Sequence, residues 1–230
     1  MPKLTRDQGI VLSARDFAET DLIVSLLTPG HGKVAILAKG ARRTTSPLGA
    51  YLDLLNRVEA IYYARRNLNL LRDASLVEHF ATFHQDLERA ESALGGTQLA
   101  SRLVPEGQAN PRAFDLTVSF LRTLDRGVPI APVGLSYRLH LLASLGHRPH
   151  LAGCVKCGGE EDLTWSPDKG GLLCVSCGGE GDLVLAPLWK SLRILATLPV
   201  EDAGRVRLDP ELVPEGRDLI ERFTDYQVRR

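Results

Sequence analysis

Four cysteines, the only ones in the 230-residue chain, carry its clearest chemistry. Cys154, Cys157, Cys174 and Cys177 form two Cys-x-x-Cys pairs with sixteen residues between them. A Cys-x-x-Cys on a tight turn aims two thiolates at one point. Two such turns facing each other make the tetrahedral sulfur shell that zinc prefers. Each pair runs into Gly-Gly, at Gly158 and Gly159 and at Gly178 and Gly179. Glycine accepts the left-handed conformation that closes such a turn, and its N–H is expected to point at sulfur. Four thiolates close the shell, so the spacing predicts one structural zinc ion with no open position for a substrate. Two disulfides would need an oxidising compartment, and the N-terminal MPKLTRDQG has no apolar signal core. A redox Cys-x-x-Cys opens a helix after a strand, which Gly-Gly opposes. His147 and His150 precede the first pair and are read as surface or packing histidines, because four cysteines already complete the set.

The second chemical signal is cationic. Lys33, Lys39, Arg42 and Arg43 fall within eleven residues that contain no acid, and Arg65 and Arg66 follow. The formal charge of the chain is zero, with an excess of four cations in residues 1–75 and of four acids in residues 151–230. A basic front attracts polyanions even in a neutral protein, because its field is set within a Debye length. Ala, Gly and cations alternate in AKGARR, and Thr44, Thr45 and Ser46 add neutral donors, so phosphates can approach the backbone closely. Tyr51, Tyr62 and Tyr63 are candidates for base stacking, although barrel tyrosines more often fill a core. A solvated charged face explains the same run, and composition alone leaves both readings open. Arg89, Arg102, Arg193, Arg229 and Arg230 are weaker candidates for further phosphate contacts.

The elements that hold these groups follow from periodicity. Residues 8–28 predict two strands around a polar turn, with Leu22, Val24 and Leu26 alternating. Pro29–Gly32 is a turn, Lys33–Lys39 a third strand and residues 40–49 a basic loop. Residues 50–64 predict a fourth strand region and 67–78 a fifth. Five short strands in under 80 residues suggest a small antiparallel barrel, of OB or SH3-like type. From residue 79 the period becomes helical. Helices are expected over 80–94, stopped by Gly95 and Gly96, and over 111–126, 132–145, 188–198 and 210–228. The predicted class is α+β and multidomain. It comprises a nucleic-acid-binding barrel over 1–79, a mostly helical domain over 80–150 and 183–230, and an inserted four-cysteine zinc module over 151–182. Apolar and charged contents of 44 % and 24 % suit a globular protein, and a reducing, cytoplasmic location is expected.

Specific stretches add a resemblance. GIVLSARDFAETDLIVSLLTPGHGKVAILAKGARRTTSPLGAYL resembles the N-terminal segment of the RecO family of bacterial recombination mediators. The likeness lies in Glu19-Thr20-Asp21, Gly32-Lys33, Ala38-Lys39-Gly40, Arg42-Arg43 and Ser46. Leu135–His150 running into Leu151-Ala152-Gly153-Cys154, and Gly170–Cys174, resemble that family's approaches to its two zinc turns. Tyr51-Leu52-Asp53-Leu54 departs from the Gln-Pro-Phe-like turn the family often has there. The resemblance implies an OB-fold barrel, a helical domain and a four-cysteine zinc module. It implies a non-enzymatic mediator of DNA repair and recombination that binds single- and double-stranded DNA and anneals complementary strands. The implied partners are RecR, single-strand-binding protein and, through RecR, the recombinase RecA. By matching position, Lys33, Lys39, Arg42 and Arg43 would contact DNA phosphates.

Two other classes compete. A zinc-ribbon protein that binds RNA, or a transcription-associated structural protein without annealing activity, would use the same metal motif. An enzyme is disfavoured. No Gly-x-x-x-x-Gly-Lys-Ser/Thr loop or His-Glu-x-x-His is present, and Ser13, Asp16 and His31 have no sequence feature that fixes them as a triad.

Overall fold

In DLIVSLLT the even-numbered apolar residues share one face, and that alternation places Leu22, Val24 and Leu26 in a common interior. The computed structural model describes residues 3–228. Strands β1 (Leu4–Phe17), β2 (Asp21–Thr28), β3 (Gly32–Ala38), β4 (Arg57–Tyr63) and β5 (Asn69–Glu78) close a barrel in the order β1-β2-β3-β5-β4. All neighbours are antiparallel except β3 and β5, which pair in parallel at Ile36–Asn69 and Leu37–Leu70. This is the five-stranded closure of an OB-fold. The interior holds Val24, Leu26, Val34, Ile36, Val58 and Ala60.

The expected fourth strand region shortens to Arg57–Tyr63. Residues Leu48–Tyr51 instead form one helical turn, α1. Asn56 explains the change. It is buried, and its amide donates to the carbonyls of Ala50 and Tyr51 at 2.9 and 3.3 Å, which fastens the end of the turn before β4 begins.

The outer face of the barrel is divided. A bulge between Val11 and Ser13 bends β1. Val11 enters the barrel core, while Ile10, Leu12 and Leu27 are also buried. Helices α2 (Leu87–Leu103) and α3 (Pro111–Asp125) pack on this side of β1 and β2. Asp86 caps α2 by accepting the Arg89 N–H at 3.1 Å. The expected stop at Gly95 and Gly96 does not occur, because α2 continues to Leu103 with Gly96, Leu99 and Ala100 buried. The local cost of two glycines, about 1 kcal/mol each, is outweighed by that packing. At the far end of the barrel, Glu78 receives Arg122 of α3 through two bonds of 2.7 and 2.9 Å and Arg57 of β4 at 3.3 Å.

The chain divides into two compact units, 1–125 and 126–230. In the second, α4 (Ile130–Ser144) packs against α5 (Ala186–Leu195) and α6 (Val213–Val228). Ser136 donates to the Leu195 carbonyl at 2.9 Å and His140 to that of Leu198 at 2.7 Å. A two-stranded antiparallel sheet, β6 (Leu163–Ser166) and β7 (Gly171–Cys174), lies between α4 and α5 in sequence. Trp165 of this sheet stacks obliquely on Phe223 of α6, with ring centroids 5.9 Å apart. Among the described residues, no helix is long and apolar enough to cross a membrane.

Candidate nucleic-acid interface and metal centre

Two Cys-x-x-Cys turns build the sulfur cluster. In the first, Gly158 donates to the Cys154 carbonyl at 2.9 Å, and in the second Gly179 donates to that of Cys174 at 3.0 Å. Gly158 and Gly178 both have positive φ, 77° and 93°, as the turn requires. These glycine N–H groups close the turns on carbonyls, whereas the spacing alone had pointed them at sulfur. The sulfur of Cys154 instead accepts the N–H of Lys156 at 3.4 Å. Lys156 also ties the turns together, its ammonium donating to the Cys177 carbonyl at 2.7 Å.

The four Sγ atoms lie within 4.8 Å of one another, with Cys157 and Cys174 at 3.7 Å. Zn–S bonds of about 2.3 Å in a tetrahedron place sulfurs about 3.8 Å apart, so the donor set fits a tetrahedral, thiophilic ion. The backbone N–H of Cys174, and then those of Cys157 and Lys156, draw the Cys154 thiol down to about 5. The Ser176 hydroxyl holds the Cys174 thiol below its ordinary value, while the neighbouring Cys174 and Cys157 thiols hold Cys177 up, at about 12. The fold thus favours thiolates at Cys154 and Cys174, and a divalent cation would offset the repulsion that opposes ionising all four. Among the described residues neither His147 nor His150 joins the cluster. The His150 backbone instead pairs with Gly170 and Leu172, extending the β6–β7 sheet.

The six cations expected at the barrel separate into distinct environments. Lys33 and Lys39 have the same strand parity but opposite ends. Lys33 lies on the half that the helices cover, and its ammonium donates to the Ser101 carbonyl at 2.8 Å. Ser101 is in the last turn of α2, where carbonyls lack helical partners and the dipole favours a cation. Lys39 is exposed at the other end and has no ion pair among the described residues. Arg42 pairs with Asp16 at 3.0 Å, and its N–H binds the Thr20 carbonyl, which holds the loop after β3 against the β1–β2 turn. Gly40 reinforces the contact by donating to Asp21 at 2.8 Å. Arg43 is exposed beside Gly40.

Arg65 and Arg66 are exposed in the β4–β5 loop. Asn69 fastens that loop beside β3, accepting the Arg65 N–H at 3.1 Å and donating to the Ala35 carbonyl at 3.0 Å. Lys39 is three residues past Ile36, the β3 partner of Asn69, or about 10 Å along the strand. The basic loops therefore lie on two sides of the half of the outer face, here called the open half, on which α2 and α3 do not pack.

Other candidates fall elsewhere. Tyr62 is buried and donates to Asp7 at 2.7 Å, and burial followed by that carboxylate raises its pKa. Tyr51 packs on the barrel core, while Tyr63 has the outward parity. Arg89 is buried and donates to the Leu124 carbonyl at 2.7 Å, so it is part of the helical packing. Arg193 pairs with Glu160 at 3.2 Å and stacks on Trp189 at 5.1 Å. Arg229 and Arg230 lie outside the described residues. His31 binds Asp7 at 2.8 Å. Two features escaped the sequence reading. Arg15 and Phe17 are exposed on the outer parity of β1, and only the phase of that strand relative to its bulge reveals them.

Known proteins place this architecture. A relative from Roseiflexus sp. (strain RS-1), named DNA repair protein RecO, is 33 % identical over 99 % of this chain and 82 % of its own length. A DNA repair protein RecO from Symbiobacterium thermophilum is 34 % identical over 90 % of this chain and 85 % of its own. One from Exiguobacterium sibiricum is 28 % identical over 99 % and 91 %. Residues 1–80 match the family description "Recombination protein O N terminal" and residues 84–230 match "Recombination protein O C terminal", so the chain belongs to the RecO family.

Proposed function

We propose that this protein acts in DNA repair and recombination as a DNA-binding mediator. The observation that carries the proposal is the set of exposed cations around the open half of the barrel face. Among the described residues, Lys39, Arg43, Arg65 and Arg66 have no carboxylate partner. Arg42 can exchange Asp16 for a phosphate at little cost, because exposed ion pairs contribute only about 0–1 kcal/mol. Lys33 has a structural part in this reading. Neutralising phosphates releases counterions and lowers the repulsion between two strands. That is the physical requirement for binding single- and double-stranded DNA and for annealing complementary strands. Family membership supports the remaining partners: RecR, single-strand-binding protein and, through RecR, RecA, in the bacterial cytoplasm. One zinc ion, held by Cys154, Cys157, Cys174 and Cys177, would tie the two turns of the second unit together. Its closed sulfur shell gives it a structural role and no direct part in DNA contact.

The test is a salt titration of labelled single-stranded DNA, comparing the native protein with Lys39→Ala/Arg42→Ala/Arg43→Ala. The slope of log affinity against log salt should fall by about 0.7 for each phosphate no longer neutralised, so by about 2 for three. An unchanged slope in a folded triple variant rejects the barrel as the DNA surface. Annealing of complementary strands coated with single-strand-binding protein, with and without RecR, then tests the mediator step.

A further inference from the structure

The second unit carries a cleft that neither the metal cluster nor the DNA-binding reading uses. It is lined by α6 and by residues 180–185 and has a volume of about 450 Å3, a size that takes a few side chains of a peptide. Val184 fastens the 180–185 segment to the edge of β6, its N–H donating to the Leu163 carbonyl at 2.7 Å. The side chains of Leu183 and Leu185 stand at the rim, 51 % and 53 % exposed. The charge of the lining is one-sided. Glu180 and Asp182 on the segment and Glu215 on α6 have no ion pair among the described residues. Asp218 is taken up at 2.8 Å by Arg222, the one cation among the described residues that line the cleft. Lys169, on the helical turn that packs on α6, is held by Asp168 at 3.0 Å, and the helical period turns Arg217 away from the side of α6 that carries Glu215, Asp218 and Arg222. Trp165 of β6 adds a second, independent feature. It is only 7 % exposed, and its buried indole N–H has no acceptor among the described residues. The ring stacks obliquely on Phe223, which offers none, and Trp165 also borders the cleft. Buried donors are almost always paired, so the cleft is where the missing acceptor would enter.

We propose that this cleft is the docking site for a basic segment of a partner protein, an extended peptide with cations on both sides of a bulky aliphatic residue. Three features select that occupant together. The cations answer Glu180, Asp182 and Glu215. The aliphatic side chain covers the exposed flanks of Leu183 and Leu185. A peptide carbonyl accepts from the Trp165 indole. A divalent cation answers the carboxylates alone and brings no carbonyl or apolar group. Nucleic acid and acidic peptides carry the wrong sign for this lining. The proposal does not rest on the DNA-binding reading, because it concerns the part of the chain, residues 151–230, in which acids exceed cations by four.

The experiment measures anisotropy with the full chain and a labelled peptide, Gly-Arg-Leu-Lys-Arg-Gly, beside one control with Ser in place of Leu and another with Glu in place of each cation. The native protein should bind the first peptide, bind the Ser control about 5-fold more weakly and leave the Glu control unbound. Glu180→Lys/Asp182→Lys changes two exposed side chains. This variant should melt within about 2 °C of native and bind the basic peptide at least about 10-fold more weakly. Trp165→Phe keeps a ring against Phe223 and removes the donor, so it should weaken the peptide about threefold. It should also abolish the peptide-dependent change in tryptophan emission, since the other tryptophan, Trp189, is buried on α5 and does not border the cleft. No binding of the basic peptide, native affinity in the folded Glu180→Lys/Asp182→Lys variant, equal binding of the Leu and Ser peptides, or an unchanged emission response in Trp165→Phe overturns the proposal. Calorimetric binding of magnesium without binding of the peptide would identify an ion site instead, which also overturns it.

Discussion

Lys33 and Lys39 share one strand face, one charge and one sequence context, yet only Lys33 is held by a helix-end carbonyl, so under the DNA-binding reading the two should differ in effect. Lys33→Met keeps the alkyl stem and removes the ammonium from the Ser101 carbonyl at 2.8 Å. A charge-assisted bond of this kind contributes about 1.5–3 kcal/mol. Its place in the last turn of α2 makes about 2 kcal/mol a fair central figure, including the dipole contribution. For a chain of this length each kcal/mol moves Tm by about 2–4 °C, so Lys33→Met should melt about 4–8 °C lower. Its single-strand salt slope should match the native value. Lys39→Met should melt within about 1 °C of native, since Lys39 has no ion-pair partner among the described residues, and its salt slope should fall by about 0.7. Between 50 and 200 mM salt that difference alters the fall in affinity by a factor of about 2.6. Circular-dichroism melts and anisotropy titrations on the same preparations separate the two. A shallower slope in Lys33→Met with an unchanged Tm would refute the assignment.

Three further perturbations follow from other parts of the molecule. Cys157→Ser should lose stoichiometric metal in elemental analysis and lower the melting temperature, while single-strand affinity at 25 °C stays within about twofold; normal metal content and stability would contradict the closed-shell reading. Glu78→Gln should cost about 1–2 kcal/mol at pH 7 in denaturant melts, from the weakened bonds to Arg122 and Arg57. Burial raises the Glu78 pKa, but the guanidiniums of Arg122 and Arg57 outweigh it and hold the group below the usual carboxylate range. The folded value is therefore below the unfolded one, and the contribution is complete above about pH 4.3 and disappears as pH falls through the folded value; native and Glu78→Gln stability curves should converge in acid. Gly171→Ala should destabilise the second unit by more than about 2 kcal/mol, measured by denaturant titration, because the new Cβ would overlap the His150 carbonyl oxygen.

What the sequence made legible was whatever depends on local spacing. Two Cys-x-x-Cys pairs specify a cluster because each turn is short enough to place its own two sulfurs, and strand alternation places Val24 and Ile36 inside a barrel because the period of two is rigid. The charge run from Lys33 to Arg43 was legible as a run, but its division was not. Whether a cation is solvated depends on what lies above it, and the carbonyl over Lys33 comes from Ser101, 68 residues later. The same long-range dependence carried α2 through Gly95 and Gly96, where burial overrides a local stop, and shortened the fourth strand through the side chain of Asn56. Phe17 makes the point most sharply. Taken alone, an aromatic at a strand end reads as core. Only the β1 bulge and the pairing of Arg15 with Ile23 give it the outward parity. Under the proposed DNA-binding reading, the barrel's function would therefore depend less on which residues the strands carry than on which half of one face α2 and α3 leave uncovered.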